Sequence, residues 1–220
     1  MDALRQALTS FTPLNDEEAR DKEVILSSLQ NGTEDFAPDV FNRSWPSHFT
    51  TSAWVVDPSK TQTLMVYHNI YNSWSWIGGH ADGDTNLTRV AMRELKEETG
   101  LQEAQLISDD IFSCEVLTVN GHWKRGEYVP SHLHLNITYL FEADPSASLH
   151  IAPDENSGVS WFDLDEIPNI SKEPWMIQHI YQKLIHRTQL FCLSINLFRK
   201  KLKGDTSWSC LKSASDVTEL

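Results

Sequence analysis

GGHADGDTNLTRVAMRELKEETGL, the stretch from Gly78 to Leu101, decides how the rest of the chain is arranged. Its second half, from Ala91 to Glu98, is a run of strong helix formers, and Gly100 stands where a helix commonly ends in a left-handed residue. The first half places three glycines among short polar residues, a composition typical of a loop. The stretch therefore predicts a glycine loop over residues 78–83 that leads into a helix.

Three carboxylates fall on one face of the predicted helix. Glu94, Glu97 and Glu98 are three and four residues apart, so the helical period brings them together. Clustered carboxylates repel one another unless a cation lies between them, and hard oxygen ligands suit Mg2+ or Mn2+. The glycine loop and the helix start also favour bound anions such as phosphate. A solvated face of Glu and Lys is the alternative interpretation.

The spacing of these residues resembles the signature of the Nudix hydrolase family. Gly79 is followed, after thirteen residues, by RELKEETGL beginning at Arg93. The chain departs from the family pattern at Thr85, where the family has a glutamate, and the adjacent Asp84 is a partial replacement. The resemblance implies an α/β (α+β) fold in which helices flank a mixed β-sheet as an α/β/α sandwich.

The resemblance also implies a reaction and roles for individual residues. The reaction is metal-dependent hydrolysis of a diphosphate linkage in a nucleoside diphosphate joined to another group, by water attack on phosphorus. The implied cofactor is Mg2+ or Mn2+, and Arg93 is implied to orient a glutamate by ion pairing. The implied metal ligands are the carboxylates of Glu94, Glu97 and Glu98 and a backbone carbonyl of Gly78 or Gly79.

Three histidines are further candidates for the site. His132 and His134 alternate on a predicted strand, so both side chains face the same side of the sheet. The family resemblance puts this strand near the substrate pocket, which makes both residues candidate substrate contacts; a solvated sheet surface is the alternative. His80 follows Gly79 and is a candidate contact to phosphate, or else only shapes the loop.

An acidic loop offers a base for the attacking water. Asp154 and Glu155 follow the longest predicted strand, and a loop acid can accept a proton from water. Glu155 is the candidate from this loop, and Glu97 and Glu94 are the competing catalytic bases. Because solvated loop acids are common, a role without chemistry is the alternative.

Composition narrows the classes of partner and compartment. The formal net charge of −13 argues against a nucleic-acid backbone as the main partner. Three distant cysteines without metal-ligand spacing predict no disulfide framework and favour the reducing cytoplasm. The start of the chain lacks the pattern of a signal peptide, and no apolar run approaches the roughly 20 residues of a membrane span. We expect a small-molecule diphosphate as substrate, and formation of a homodimer is compatible with the sequence.

The chain divides into three predicted segments. Residues 1–45 form a helical N-terminal extension, in which Asn15 and Glu18 make a capping box and Gly32 ends a helix. Residues 46–187 form the Nudix-like domain, and residues 188–220 a helical or disordered tail. Within the domain, the residue patterns predict the following elements: strands over 49–56, 63–68, 74–77, 111–119, 132–143 and 159–162, a loop over 121–130, and a helix that starts at Pro174.

Two other functions stay open at this level. Some relatives of the family isomerise isoprenoid diphosphates, which requires a cysteine or a comparable acid in the pocket, and Cys114 is the only cysteine in the predicted domain. Alternatively, the chain is a binding protein that has kept the fold and lost catalysis, with Thr85 as the first sign of decay. The three intact glutamates of the predicted helix argue against such a loss.

Overall fold

A mixed β-sheet lies at the centre of the molecule, as a computed structural model shows. The structure describes residues 2–30, 39–43, 46–124 and 126–202. In chain order the elements are α1 (Asp2–Ser10), α2 (Asp16–Gln30), β1 (Ser47–Val56), β2 (Gln62–His68), β3 (Ser73–Ser75), β4 (Ile77–His80), α3 (Leu87–Thr99), β5 (Ala104–Leu106), β6 (Ser113–Val119), β7 (His122–Lys124), β8 (Glu127–Val129), β9 (His132–Ala143), β10 (Asn156–Asp163), α4 (Ile167–Ile170), α5 (Pro174–Met176), a π-helical turn (Ile177–Tyr181) and α6 (Gln182–Leu202).

Strand β1 is an inner strand that pairs with neighbours on both of its sides. It runs parallel to β9 along its whole length and antiparallel to β2 and β4. The order across the sheet is β10-β2-β1-β9-β5, with β3 paired to β2 and β6 paired to β9. Strands β7 and β8 form a separate hairpin. The predicted mixed sheet is therefore confirmed.

The two faces of the sheet carry different apolar cores. Side chains of β1 alternate between them, so Phe49 and Val55 pack with α3, whereas Trp54 packs with the helix that follows Pro174. Helices thus cover both faces, which confirms the predicted α/β/α arrangement. The N-terminal helices contribute Leu8 and other apolar residues to the core of the α3 face, and their presence is confirmed.

Helix α2 is joined to the sheet and to α6 by buried charges. Glu18 is fully buried, accepts a hydrogen bond from Ser113 Oγ at 2.7 Å, and forms ion pairs with Lys183 at 3.3 Å and with Arg187. Lys183 lies 3.0 Å from the equally buried Glu115. Burial alone would lower the pKa of Lys183, but the two carboxylates raise it above its ordinary value. Two cations and two carboxylates therefore balance within the interior.

Helix ends follow the predicted chemistry where the structure describes them. Asn15 Oδ1 accepts the Glu18 N–H at 2.9 Å at the start of α2. At the end of α3, Gly100 has φ 70° and donates its N–H to Lys96 O, which confirms the left-handed cap. The predicted helix end at Gly32 lies outside the described residues.

Three short elements differ from the sequence predictions. Gly78 to His80 belong to strand β4 rather than to a loop, because β1 offers them an antiparallel partner from Thr50 to Ser52. Residues 121–130 contain the hairpin β7–β8, whose strands meet around the left-handed Gly126. Strand β5 was not predicted; its three residues pair with the end of β9.

The chain beyond residue 187 begins as a continuation of the last helix. Helix α6 runs to Leu202, and residues 203–220 lie outside the described part of the chain. None of the described helices combines the length and the apolar character needed to cross a membrane. The division into segments 1–45, 46–187 and 188–220 stays a prediction.

The buried charge network should dominate the contribution of α2 to stability. Glu18→Gln leaves Arg187 without its buried countercharge, which should lower the free energy of unfolding by about 3 kcal/mol or more. Urea unfolding at pH 7 measures this loss. The matched control is Glu17→Gln on the same helix, whose carboxylate is 57% exposed and pairs with His179, so its removal should leave stability nearly unchanged. Equal effects of the two variants would contradict the role assigned to the buried charges.

Candidate metal-binding active site

The acidic face of α3 packs against the glycines of β4. Gly78 donates its backbone N–H to Glu98 Oε1 at 3.0 Å, and the Glu98 side chain is buried. A Cβ on Gly79 would lie 2.3 Å from Glu94 Cδ, closer than real Cβ atoms come to a neighbour. The absence of a side chain at Gly79 therefore makes room for the Glu94 carboxylate, while the backbone N–H of Gly78 binds the carboxylate of Glu98.

Burial and mutual repulsion disfavour the charged forms of these carboxylates. Burial raises the pKa of Glu98 to about 8, the Gly78 N–H opposes this rise, and the carboxylates of Glu94, Glu155 and Glu97 add to it. The pKa of Glu94 is also raised, chiefly by burial. The charges of Glu94, Glu155 and Glu97 thus all influence the buried carboxylate of Glu98. A divalent cation between them would reverse this penalty, since an opposite charge favours the ionised form.

Arg93 lies beside two of these glutamates. Its Nη2 donates to Glu94 Oε1 at 2.8 Å, and its Nε is 4.0 Å from Glu97 Oε1. The same guanidinium reaches the backbone oxygen of His80 at 3.4 Å. This geometry agrees with the predicted orienting role of Arg93, which stays a prediction. Glu97 is the most exposed member of the acidic face, with 61% of its side chain accessible.

The loop that carries Glu155 is tied to the end of α3 by Asn156. The Asn156 side chain is fully buried and donates from Nδ2 to the backbone oxygen of Glu98 at 2.9 Å. Its Oδ1 accepts the Ala152 N–H at 3.2 Å, which closes the loop on itself. Sequence reasoning missed Asn156, although a polar residue directly after an acidic loop was a usable signal. The tie explains why the Glu155 charge is felt by Glu94 and Glu98.

Asp84 is paired with Arg89 at the start of α3, the end of the helix away from Glu98. Its two carboxylate oxygens accept hydrogen bonds from Arg89 at 2.7 and 2.8 Å. Glu98 lies in the last turn of the helix, whereas Arg89 lies in the first. Asp84 therefore anchors the start of the helix. Thr85, the residue at which the chain departs from the family pattern, is exposed at the surface.

The candidate histidines form one cluster with His48, which sequence reasoning missed. The ring centroid of His48 lies 5.2 Å from that of His80 and 4.9 Å from those of His132 and His134. His132 Nε2 and His134 Nε2 are 3.2 Å apart, as expected for side chains on the same face of β9. Burial, followed by the neighbouring histidines, lowers the pKa of His134 to about 2. His48 was recoverable only from the register of β1 against β9.

A buried polar row continues from the histidines across the same face of the sheet. Asn136 Oδ1 accepts hydrogen bonds from Thr50 Oγ1 and Ser52 Oγ, both at 3.0 Å. Asn136 Nδ2 donates to Glu115 Oε2 at 2.9 Å. The row therefore links the histidine cluster to the buried charges that hold α2 and α6.

A family model and several solved structures are similar to the part of the chain that forms the sheet and helix α3. The family model described as NUDIX domain matches residues 46–184. No curated protein sequence matches the chain. Among solved structures, a Caenorhabditis elegans Ap4A hydrolase complex is 15% identical with a TM-score of 0.49, covering 66% of this chain and 98% of that one.

Two further solved structures are similar to the same part of the chain. A hydrolase of the NUDIX family from Clostridium perfringens is 18% identical with a TM-score of 0.45, covering 66% of this chain and 97% of that one. The NUDIX domain of Shewanella oneidensis NrtR, crystallised with ADP ribose, is 15% identical with a TM-score of 0.45, covering 76% and 97%. Because the family model spans more than half of the chain, including β4 and α3, the chain belongs to the Nudix hydrolase family and is an enzyme of the predicted pyrophosphohydrolase type.

Proposed function

We propose that this enzyme hydrolyses a diphosphate linkage in a nucleoside diphosphate joined to another group, with Mg2+ or Mn2+ as cofactor. The observation that carries the proposal is the buried Glu98 carboxylate, held by the Gly78 N–H among three other acidic side chains. Such a cluster is costly in a protein that gains nothing from it. Nudix hydrolases generally use divalent metal ions, and a cation at this position offsets the cost.

The side chains around Glu98 fit a hard cation. Carboxylate and backbone carbonyl oxygens are the ligands that Mg2+ and Mn2+ prefer. A bound ion of this kind polarises phosphoryl oxygens and lowers the pKa of water. The residues that we propose to hold it are Glu94, Glu97 and Glu98, with a backbone carbonyl of Gly78 or Gly79.

The other residues of the site have distinct proposed tasks. Arg93 keeps the Glu94 carboxylate in place through its 2.8 Å hydrogen bond. Glu155 is the proposed base that accepts a proton from the attacking water, and Glu97 and Glu94 are the alternative bases. Asn156 positions Glu155 through its bond to the end of α3. His80, His132 and His134 remain the proposed substrate contacts, since they line one surface beside β4.

The surroundings of Cys114 disfavour the isomerase alternative. Its side chain is fully buried in the apolar core of the α3 face, whereas the histidines and Asn136 lie on the opposite face of the sheet. Burial also raises the pKa of its thiol well above the ordinary value. The binding-protein alternative is disfavoured by the buried carboxylate of Glu98, which lies near the acidic side chains of Glu94, Glu97 and Glu155.

The first test of the proposed function asks whether the enzyme releases phosphate or monophosphate and from which class of diphosphate. Phosphate or monophosphate release should be detected with one class among nucleotide sugars, dinucleotides, nucleoside triphosphates, coenzyme A and isoprenoid diphosphates. Release should require Mg2+ or Mn2+ and stop when a chelator is added, because the carboxylates alone do not polarise a phosphate. Metal-independent release, or none despite metal binding, would contradict the proposed function.

The second prediction isolates Glu98. Glu98→Gln keeps the volume of the side chain and an oxygen for the Gly78 N–H, but it removes the metal-binding charge. Metal-dependent turnover should fall to background, while the midpoint of urea unfolding in metal-free buffer stays unchanged. Glu103→Gln, an exposed acid just after α3, is the matched control and should retain full activity. Mg2+-dependent turnover in Glu98→Gln at the wild-type rate would refute the assignment.

The third prediction tests the loop acid. Glu155→Gln should lower kcat by about 100-fold to 10,000-fold, the usual contribution of a general base, with little change in KM. The neighbouring Asp154→Asn is the control, since its side chain is an exposed acid of the same loop. A steady-state comparison at saturating metal measures both variants. Equal, small effects of the two would move the base to Glu97 or Glu94.

A further inference from the structure

We propose that His48, His80 and His134 form a second metal site, specific for a borderline divalent ion such as Zn2+, Co2+ or Ni2+. This inference goes beyond the proposed hydrolysis, which uses the glutamates of α3. The three residues come from three different strands, β1, β4 and β9, which pair side by side in the sheet. The fold itself, rather than a local sequence motif, therefore assembles the cluster.

The distances between the imidazoles suit a shared ion. One ring nitrogen from each of the three histidines lies within 4.8 Å of the others. In a tetrahedral site with metal–nitrogen distances near 2.0–2.1 Å, neighbouring nitrogens are roughly 3.3 Å apart. For a shared ion the ring nitrogens would have to approach one another by up to roughly 1.5 Å, which rotation of the three side chains would supply. The pairing of the three strands thus brings the ligands close together.

The ligand type distinguishes this site from the glutamate site. Imidazole nitrogen favours Zn2+, Co2+ and Ni2+, whereas carboxylate and carbonyl oxygens favour Mg2+ and Mn2+. Adjacent residues of a strand point to opposite faces, so Gly79 faces Glu94 while His80 faces the histidine cluster. The two proposed ions would therefore lie on opposite sides of β4 and select different metals.

His132 orients one of the three ligands. Its Nδ1 lies 2.9 Å from the Pro130 carbonyl oxygen, which can only accept, so Nδ1 carries a proton. In the neutral form of His132, Nε2 is then an acceptor, and His134 Nε2, 3.2 Å away, must be the donor. The lone pair of neutral His134 is left on Nδ1. A carbonyl that fixes the tautomer of a metal ligand is a recurrent feature around protein metal sites.

Arg43 places a positive charge near the proposed site, and Asp82 offsets part of it. Arg43 lies close enough to influence His134, but its guanidinium makes two hydrogen bonds to Asp82, at 2.7 and 2.9 Å. That pair is neutral as a unit. Three nitrogen ligands also leave a fourth position for an oxygen of water or of a phosphate.

Metal binding by the full-length chain tests the proposal independently of any activity. After removal of metal with a chelator, Co2+ is added and its visible absorption is followed, with Zn2+ as competitor. We expect one equivalent to give a spectrum typical of nitrogen ligands, displaced by Zn2+ and not by excess Mg2+. The same spectrum should appear in Glu98→Gln, whose hydrolytic metal site is lost, so failure of this proposal and failure of the proposed function are distinguishable.

Variants then locate the ion. His48→Gln, His80→Gln and His134→Gln should each abolish the Co2+ spectrum at one equivalent. His132→Gln should weaken binding by about 10-fold to 100-fold, as expected for loss of an orienting residue. His122→Gln, which removes an exposed histidine of β7, should bind as the wild type does. Retention of the spectrum in the three ligand variants, or its loss in Glu98→Gln alone, would overturn the proposal.

If a variant of a buried histidine fails to fold, anomalous scattering from crystals of the wild-type protein locates the ion instead. Crystals soaked in Zn2+ should show an anomalous-scattering peak at the zinc edge among His48, His80 and His134. A peak at the glutamates only, or no peak at all, would reject the site.

Discussion

The contact between two glycines of β4 and two glutamates of α3 is the constraint on which the active site depends. A helix can lay carboxylates against a strand only where the strand has no side chains, and the space around Gly79 is filled by Glu94 itself. The backbone N–H of Gly78 then supplies the hydrogen bond that buried Glu98 requires. A side chain at Gly79 would clash with the Glu94 carboxylate, whereas a side chain at Gly78 would clash with Thr51 and Ser52 of β1, so either substitution would disturb the packing that holds the acidic groups.

A series of contacts connects this pair of elements to the rest of the sheet. Strand β4 packs against α3, and it is held in place by its pairing with β1, the most buried strand. Strand β1 in turn runs beside β9, which carries the histidines and Asn136. At the far end of that polar row, Glu115 and Lys183 fix α2 and α6 to the sheet. The N-terminal helices are thus part of the support of the site rather than an independent appendage.

The sequence alone was sufficient for the parts of the molecule that depend on local periodicity. Helix α3 with its cap at Gly100, the long strand β9 and the acidic face follow from spacing and from residue type. What it could not supply were contacts between strands distant in the chain. His48 joins His134 only through the parallel register of β1 and β9.

Local composition gave a wrong prediction where pairing between strands determines the secondary structure. Gly78 and Gly79 have the composition of a loop, and they are a strand because β1 lies beside them. The place of Asn156 directly after an acidic loop is only a weak signal, and its importance comes from one hydrogen bond to the end of α3. Both cases show tertiary hydrogen bonding overriding local preference, which residue spacing does not encode.

The pairing of the arginines gives a second reason to propose a metal-dependent reaction. A diphosphate substrate brings several negative charges to a site that already concentrates carboxylates, in a chain with a net charge of −13. Three arginines of this region each engage an acidic partner: Arg43 binds Asp82, Arg89 binds Asp84 and Arg93 binds Glu94. Each pair is neutral and offers little attraction to an anion. In the proposed reaction, the positive charge that binds the substrate therefore comes largely from metal ions, which the carboxylates of α3 would recruit.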